Sequence, residues 1–143
     1  MHFDYAVERL ATAWGIKTVT PKISHAVKEA LNNLIRAQKV VIKGSFLWPI
    51  GLKETPIRVP IPGVPESKRK ADYIAPEEVA AAMTTVARYA LGISDDSLVA
   101  ETAKVFGVNH SGDEAKTVFS EVLKRLVRER KLVCKDDGVV TAA

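Results

Sequence analysis

The chain has 143 residues, enough for one ordinary domain or two very small ones. Hydrophobic residues make up 47% of it and charged residues 27%, a balance that is typical of a globular protein and excludes a largely disordered chain. No apolar run approaches the roughly 20 residues of a membrane-spanning helix, and the N-terminus lacks a secretory signal. These features predict a cytoplasmic protein with no membrane partner.

The net charge of +4 is unevenly distributed along the chain. Residues 1–48 carry +4 and residues 49–75 carry +2, whereas residues 76–143 carry −2. We therefore expect a polyanion to prefer the first half of the chain and the segment that follows it.

The first predicted elements are two helices and a hairpin. The pattern predicts a helix over about 4–14, a second helix from Thr20-Pro21 to about 38, and a hairpin over VVIKGSFLW. Because side chains alternate along a strand, Phe46 and Trp48 should share one face and pack on the core of a unit.

Residues 49–75 contain five of the seven prolines and predict a stiff, extended connecting arm. The basic run SKRK within this arm has two interpretations that the sequence leaves open. It is either a solvated linker or a contact with phosphate.

The second half of the chain predicts three helices and a hairpin. The helix starts carry capping signals at Pro76, Ser94 and a capping box of Ser111 with Glu114. The helix ends are expected at Gly92, Gly107 and about Arg130.

The hairpin is predicted around Asp137-Gly138, a strong turn signal. The single cysteine, Cys134, lies in its first strand and is expected to be a small buried hydrophobe. Three helices and a terminal hairpin are the plan of a winged-helix domain, a variant of the helix-turn-helix whose third helix can enter a major groove.

The two halves are similar to each other. Residues 6–44 align without a gap to residues 98–136 at an offset of 92, with Gly15 meeting Gly107 and Trp14 meeting Phe106. The matches are mostly apolar and fall at helical spacing, which indicates two copies of one unit.

The sequence therefore predicts a mainly α fold with small β-hairpins (α+β): a truncated winged-helix-like unit over 1–48, a Pro-rich arm over 49–75 and a complete winged-helix-like unit over 76–143. The first unit lacks the counterpart of the helix over 75–91, which would fall before residue 1. Either the chain is a fragment of a longer protein, or the open face is covered by helix 76–91 or by a partner chain.

Several of these residues resemble a known family. GIKTVTPKISHAVKEALNNLIRAQKVVIKGSFLWP is similar to the C-terminal domain of unknown function of bacterial superfamily I DNA/RNA helicase-like proteins, which often carry a nuclease domain as well. The matching features are Gly15, the spacing of Ile23, Ala26, Ala30, Leu31 and Leu34, the GSFLWP signature, and the run from Arg58 to Glu78. The resemblance implies a non-catalytic accessory module, with the upstream domains of the helicase-like parent as partners. The second copy has GVVTAA in place of the signature.

No catalytic pattern is present in the sequence. There is no Gly-rich phosphate loop, the three histidines lie far apart, and the pairs Asp95-Asp96 and Asp136-Asp137 fit a helix start and a turn. We expect no enzyme activity, no cofactor and no metal.

DNA remains as a candidate partner, duplex in preference to single strand. Residues four apart share a helix face, and the third helix of each unit carries a polar and basic ladder. In the first unit the candidates are Lys22, Ser24, His25, Lys28, Asn32 and Arg36, with Lys43 at the wing turn. In the second unit they are Lys116, Lys124 and Arg128, and in the arm Lys68, Arg69 and Lys70.

A different class of function fits the same sequence. Winged helices also serve as packing platforms, so the chain is alternatively a protein-interaction or dimerisation module without DNA contact. The open face of the first unit would then hold a second copy or the parent enzyme.

Overall fold

The computed structural model describes residues 1–109 and 112–143. Within these residues the chain forms five α-helices and two small antiparallel sheets, which confirms the mixed α+β class. The backbone divides into two compact units, Met1–Glu54 and Thr55–Ala143. No described helix combines the length and the apolar character needed to cross a membrane.

The first unit consists of two helices and a hairpin. Its elements are α1 (Phe3–Ala13), α2 (Pro21–Arg36), β1 (Val40–Lys43) and β2 (Phe46–Pro49). α2 begins where the sequence predicts, because Pro21 suits a first helical turn and the Thr20 hydroxyl accepts a hydrogen bond from the Ile23 N–H. The two strands meet at a two-residue turn in which Gly44 has a φ of 59°.

The residues before α1 extend this hairpin. The Met1 amine donates to the Leu47 carbonyl, and the Leu47 N–H donates to the Met1 carbonyl, both at 2.7 Å. His2 then caps α1, since its Nδ1 accepts from the Asp4 N–H at 3.2 Å. The start of α1 is thus tied to the edge of β2.

The core of the first unit is small. Its buried apolar side chains are Val7, Ala11, Leu31 and Trp48. Trp48 is only 8% exposed, which confirms the expectation that it packs inside. Phe46 is half-buried and meets the His2 ring edge-on at 5.2 Å between centroids.

The second unit contains three helices and a three-stranded sheet. Its elements are α3 (Pro76–Ala90), β3 (Ile93–Ser94), α4 (Asp95–Val105), α5 (Asp113–Arg128), β4 (Leu132–Cys134) and β5 (Val139–Ala142). The sheet order is β3-β5-β4. The sequence did not predict β3, because a two-residue strand has no periodicity and Ser94 also serves as the N-cap of α4.

The helices of the second unit enclose one apolar core. α3 contributes Val79 and Met83, α4 contributes Leu98, and α5 contributes Phe119 and Leu126, all nearly inaccessible to solvent. Each helix shows apolar residues on one stripe only, so packing three such stripes against the sheet buries them together.

Element positions repeat at a constant spacing. α1 and α4, α2 and α5, and β1 and β4 all begin 92 residues apart. The turns repeat as well: Gly15 and Gly107 have φ of 71° and 64°, and Gln38 and Arg130 have φ of 54° and 57°. These last two residues end α2 and α5 at Arg36 and Arg128, slightly before the predicted ends.

The second hairpin differs in detail from the expectation. Cys134 pairs with Val140, which leaves a wider loop than a two-residue turn, with Gly138 at a φ of 76°. Cys134 is exposed, so the prediction of a buried thiol was wrong. It is the last residue of β4, and its thiol lies at the turn end beside the Lys135 carbonyl, 3.7 Å away. The predicted cap at Ser111 lies outside the described residues.

The Pro-rich arm is more ordered than the sequence suggests. Residues from Thr55 onward belong to the second unit, and they include two single turns of 3-10 helix, Pro65–Ser67 and Ala71–Tyr73. Ala71 and Ile74 are buried in the core of that unit. Gly107 has room only for a hydrogen where the arm crosses it, because an added Cβ would lie 2.8 Å from Cγ of Pro60.

Candidate nucleic-acid interface

An open groove lies between α2 and the hairpin turn of the first unit. It has a volume of about 280 Å³. Lys28 and Asn32 line it from α2, and Gly44 with Ser45 line it from the turn. Lys28 and Asn32 are one helical turn apart, which is why they share this face. The structure therefore brings two predicted contact residues and the hairpin turn to one groove.

The remaining α2 candidates continue the same ladder. Ser24 is half-buried one turn before Lys28, and Arg36 is exposed one turn after Asn32. Lys22 and His25 are exposed near the start of the helix. No described acidic side chain of α2 other than Glu29 interrupts this surface.

Lys43 stands at the end of β1, beside the wing turn. It is exposed, and its Nζ lies 5.9 Å from the centroid of the Trp48 ring. A cation over an aromatic face is attracted to it by the ring quadrupole. The contact restrains the Lys43 ammonium at the edge of the hairpin.

The groove also has an acidic and an imidazole side chain that the sequence analysis did not include. Asp4 and His2 line it from the start of α1, with Asp4 Oδ2 3.9 Å from His2 Nδ1. Sequence spacing could not place them there, since Asp4 and His2 lie 28 and 30 residues before Asn32 and are held near it by the strand-like pairing of Met1. The negative charge of the Asp4 carboxylate would repel a phosphate on its side of the groove.

The predicted basic residues on α5 of the second unit do not line either of the described cavities of that unit. Lys116, Lys124 and Arg128 are exposed on α5. Their neighbour Arg125 is bound within the unit: its Nη2 donates to the Pro76 carbonyl at 3.2 Å. The α5 candidates thus form a basic helix face that is exposed to solvent.

Arg69 is buried in an ion cluster and cannot reach a phosphate, which corrects the prediction that it contacts DNA. Its side chain is 6% exposed, and its Nη2 lies 2.8 Å from Oε1 of Glu78. Arg58 binds the same carboxylate, with its Nη2 2.7 Å from Oε2. Arg69 also donates to the Arg58 carbonyl at 2.6 Å. Both arginines bind the one buried carboxylate, so this cluster holds the arm on α3.

The Glu78 carboxyl responds to two opposing effects. Burial raises its pKa, but hydrogen bonds from Arg69 and Arg58 favour the charged form and hold the pKa below its ordinary value of 4.5. The run from Arg58 to Glu78 is visible in the sequence, but its spacing does not reveal that the side chains of Arg58, Arg69 and Glu78 meet.

The other arm candidates remain exposed. Lys68 lines a surface hollow with the Pro-rich turn and Lys104. Lys70 places its Nζ 5.6 Å from the centroid of the Tyr73 ring. Near it, a hydrogen bond with Asp72 raises the pKa of Glu114, which Lys70 partly opposes. These surroundings are mixed in charge and favour a solvated surface over a phosphate site.

Comparison with family models, with curated proteins and with solved structures found no match to this chain. The role of the groove between α2 and the hairpin turn therefore follows only from the residues that line it. Across residues 1–109 and 112–143, no three His, Cys, Asp or Glu side chains meet as metal ligands would.

Proposed function

We propose that this chain is a non-catalytic accessory module of a helicase- or nuclease-like protein, and that it contacts duplex DNA through α2 and the hairpin turn of its first unit. The observation that carries the proposal is the groove in which Lys28 and Asn32 face the turn at Gly44-Ser45. The helicase-like parent rests on the resemblance of GSFLWP and the helix before it. A cytoplasmic location goes with this role.

The chemistry of the groove suits a nucleic-acid backbone and a base edge. A lysine ammonium neutralises a phosphate and displaces its counterion. An asparagine amide both donates and accepts, so it can pair with a base edge in the major groove. Backbone N–H groups at a glycine-containing turn approach a phosphate closely, because no Cβ stands in the way.

We interpret both units as winged-helix-like, with the first lacking its first helix. The order helix, helix, hairpin in the first unit, and its recurrence 92 residues later behind α3, support this interpretation. In such a domain the helix before the hairpin enters a major groove about 12 Å wide, while the hairpin meets the adjacent backbone. A duplex is favoured over a single strand because the exposed surface here is a helix, without the row of aromatic side chains on which unpaired bases stack.

The proposal is tested by measuring the affinity for a random-sequence duplex at several salt concentrations. We expect the affinity to fall steeply with salt, and Lys28→Ala to weaken binding and reduce the log–log slope by about one unit. Asn32→Ala should weaken binding without changing the slope, because the amide carries no charge.

Lys53→Ala is the matched control, since it removes the same charge from an exposed position of the first unit outside α2. It should leave the slope unchanged. Asp4→Asn should tighten binding, because it removes the carboxylate that opposes a phosphate in the groove. Absence of binding at low salt, or equal losses for the Lys28 and Lys53 variants, would contradict the proposal.

A further inference from the structure

The first unit exposes an apolar helix surface that the second unit buries. We call Leu10, Trp14, Ala30 and Leu34 the open face. Trp14 is 66% exposed, and Leu10 and Leu34 are about 40% exposed (39% and 42%). A tryptophan ring in solvent next to two exposed leucines is costly unless something covers it.

The equivalent positions of the second unit are all buried. At a spacing of 92 residues, Leu10, Trp14, Ala30 and Leu34 correspond to Thr102, Phe106, Val122 and Leu126. Phe106 and Leu126 are 1% exposed, and Thr102 is fully buried. Because α1 and α2 begin and end at the spacing of α4 and α5, the two faces have the same helical framework.

Two segments cover this surface in the second unit: α3, and the arm, whose Arg69 guanidinium carbon lies 5.8 Å from the centroid of the Phe106 ring. α3 packs on both α4 and α5, with Val79, Ala82, Met83 and Ala87 buried along one stripe. At its start, the Pro76 carbonyl accepts from Arg125. The structure thus shows what packs between two helices of this type: an amphipathic helix with small and apolar residues at helical spacing, with the arm beside it.

The buried apolar stripe of α3 is part of the core of the second unit. The buried residues of α4 and α5 belong to that same core. The open face of a second copy would present two helices, whereas α4 and α5 hold one helix, α3, between them.

We propose that the open face is the docking site for an amphipathic helix of a partner protein, with a stripe of small and apolar residues like that of α3. Trp14 is larger than Phe106 and Leu10 is apolar where Thr102 is polar, so the partner stripe must be small opposite Trp14 and apolar throughout. Asn33 stands where Arg125 binds the start of α3 and offers an amide for the same carbonyl. The inference does not depend on DNA binding.

Trp14 fluorescence tests this in the full chain. Trp48→Phe leaves Trp14 as the only tryptophan, and the buried Trp48 Nε1 has no hydrogen-bond partner among the described residues, so the substitution removes no such bond. The probe is a synthetic peptide of residues 75–92. We expect a saturable blue shift of Trp14 emission and protection from acrylamide quenching, while the chain sediments as a monomer with one peptide bound.

Two controls identify the face and the stripe. A peptide with aspartate at the positions of Val79 and Met83 should cause no shift, and the uncharged substitution Leu34→Gln in the chain should abolish the shift while leaving DNA affinity unchanged. Conversely, Lys28→Ala should leave peptide binding unchanged. Failure of DNA binding and failure of helix docking are therefore separate results.

Isolated helices of this length are marginal in water, so a second form of the experiment raises the effective concentration. Residues 75–92 are fused directly before residue 1, which reproduces the spacing of α3 to α4. A blue shift in this fusion, absent with the aspartate stripe, supports the proposal. It is overturned if the fusion leaves Trp14 exposed, or if Trp14 in the chain alone is already shielded, in a dimer by a second copy or in a monomer by the chain itself.

Discussion

A single carboxylate connects the arm to α3. Glu78 is 1% exposed and receives hydrogen bonds from both Arg58 and Arg69. Removing one partner of a buried ion pair leaves uncompensated charge and costs about 3–5 kcal/mol. Glu78 also lies in the first turn of α3, where a negative charge favours the helix start, but this is a minor part of its role.

Glu78→Gln should therefore destabilise the second unit by about 3 kcal/mol at pH 7. Met83 is the one methionine in that core, so its methyl resonance can follow unfolding by urea. The exposed Glu121→Gln is the control and should change the free energy of unfolding by less than about 0.5 kcal/mol.

Acid should reveal the same ion cluster. The pKa of Glu78 is lowered in the folded state, so its stabilisation is present above its ordinary value of 4.5 and is lost as pH falls through the folded-state pKa. Between pH 5 and 3 the unfolding free energy of the unaltered protein should fall more steeply than that of Glu78→Gln. Equal slopes would show that folding does not lower the pKa of Glu78.

At the scale of elements, the glycine after α4 does more than end a helix. Gly107 has a φ of 64°, and Pro60 of the arm lies where a Cβ would be. The positive φ was predictable from a glycine at a helix end. The close approach of the arm was not, because Pro60 lies 47 positions earlier in the chain and no local pattern links the two.

Gly107→Ala should destabilise the second unit through both effects. Backbone strain costs about 1 kcal/mol and displacement of Pro60 adds about 1–3 kcal/mol. Gly138→Ala is the matched control, since Gly138 has a φ of 76° and nothing within 4 Å of the added methyl. Urea unfolding followed at Met83 should show a larger loss of stability for Gly107→Ala, and equal effects of the two substitutions would refute the close approach of Pro60.

At the scale of the whole molecule, the two units share an order of helices and strands, but their basic helix faces have different surroundings. The basic face of α2 lies beside the hairpin turn and a groove. The basic face of α5 lies in residues 76–143, which carry a net charge of −2. On our proposal, one unit contacts DNA and the other does not.

This difference predicts the outcome of paired double substitutions. Lys28→Ala with Arg36→Ala should weaken duplex binding by more than tenfold, because each phosphate that is no longer neutralised costs about 1 kcal/mol or more. Lys116→Ala with Lys124→Ala removes the same charge from α5 and should change the affinity less than twofold. Fluorescence anisotropy at one fixed salt concentration measures both, and a comparable weakening by the two double substitutions would assign DNA contact to both units.

Local patterns determined the elements of this protein. Capping residues, prolines and apolar spacing placed α2 and α4 within about two residues of their observed bounds, because these signals act over a few neighbouring positions. The alternation of Phe46, Leu47 and Trp48 likewise indicated that Trp48 packs inside. The basic ladder of α2 followed from helical spacing alone.

Contacts between distant residues were decided only by the tertiary structure. Pattern and charge could not distinguish Arg69, which is buried in an ion cluster, from Lys68 beside it, which is exposed. Nor could they show that Trp14 lies in solvent while its counterpart Phe106 is buried. The physical reason is that the burial of a side chain depends on which element packs over it, and that element is encoded at distant positions of the sequence.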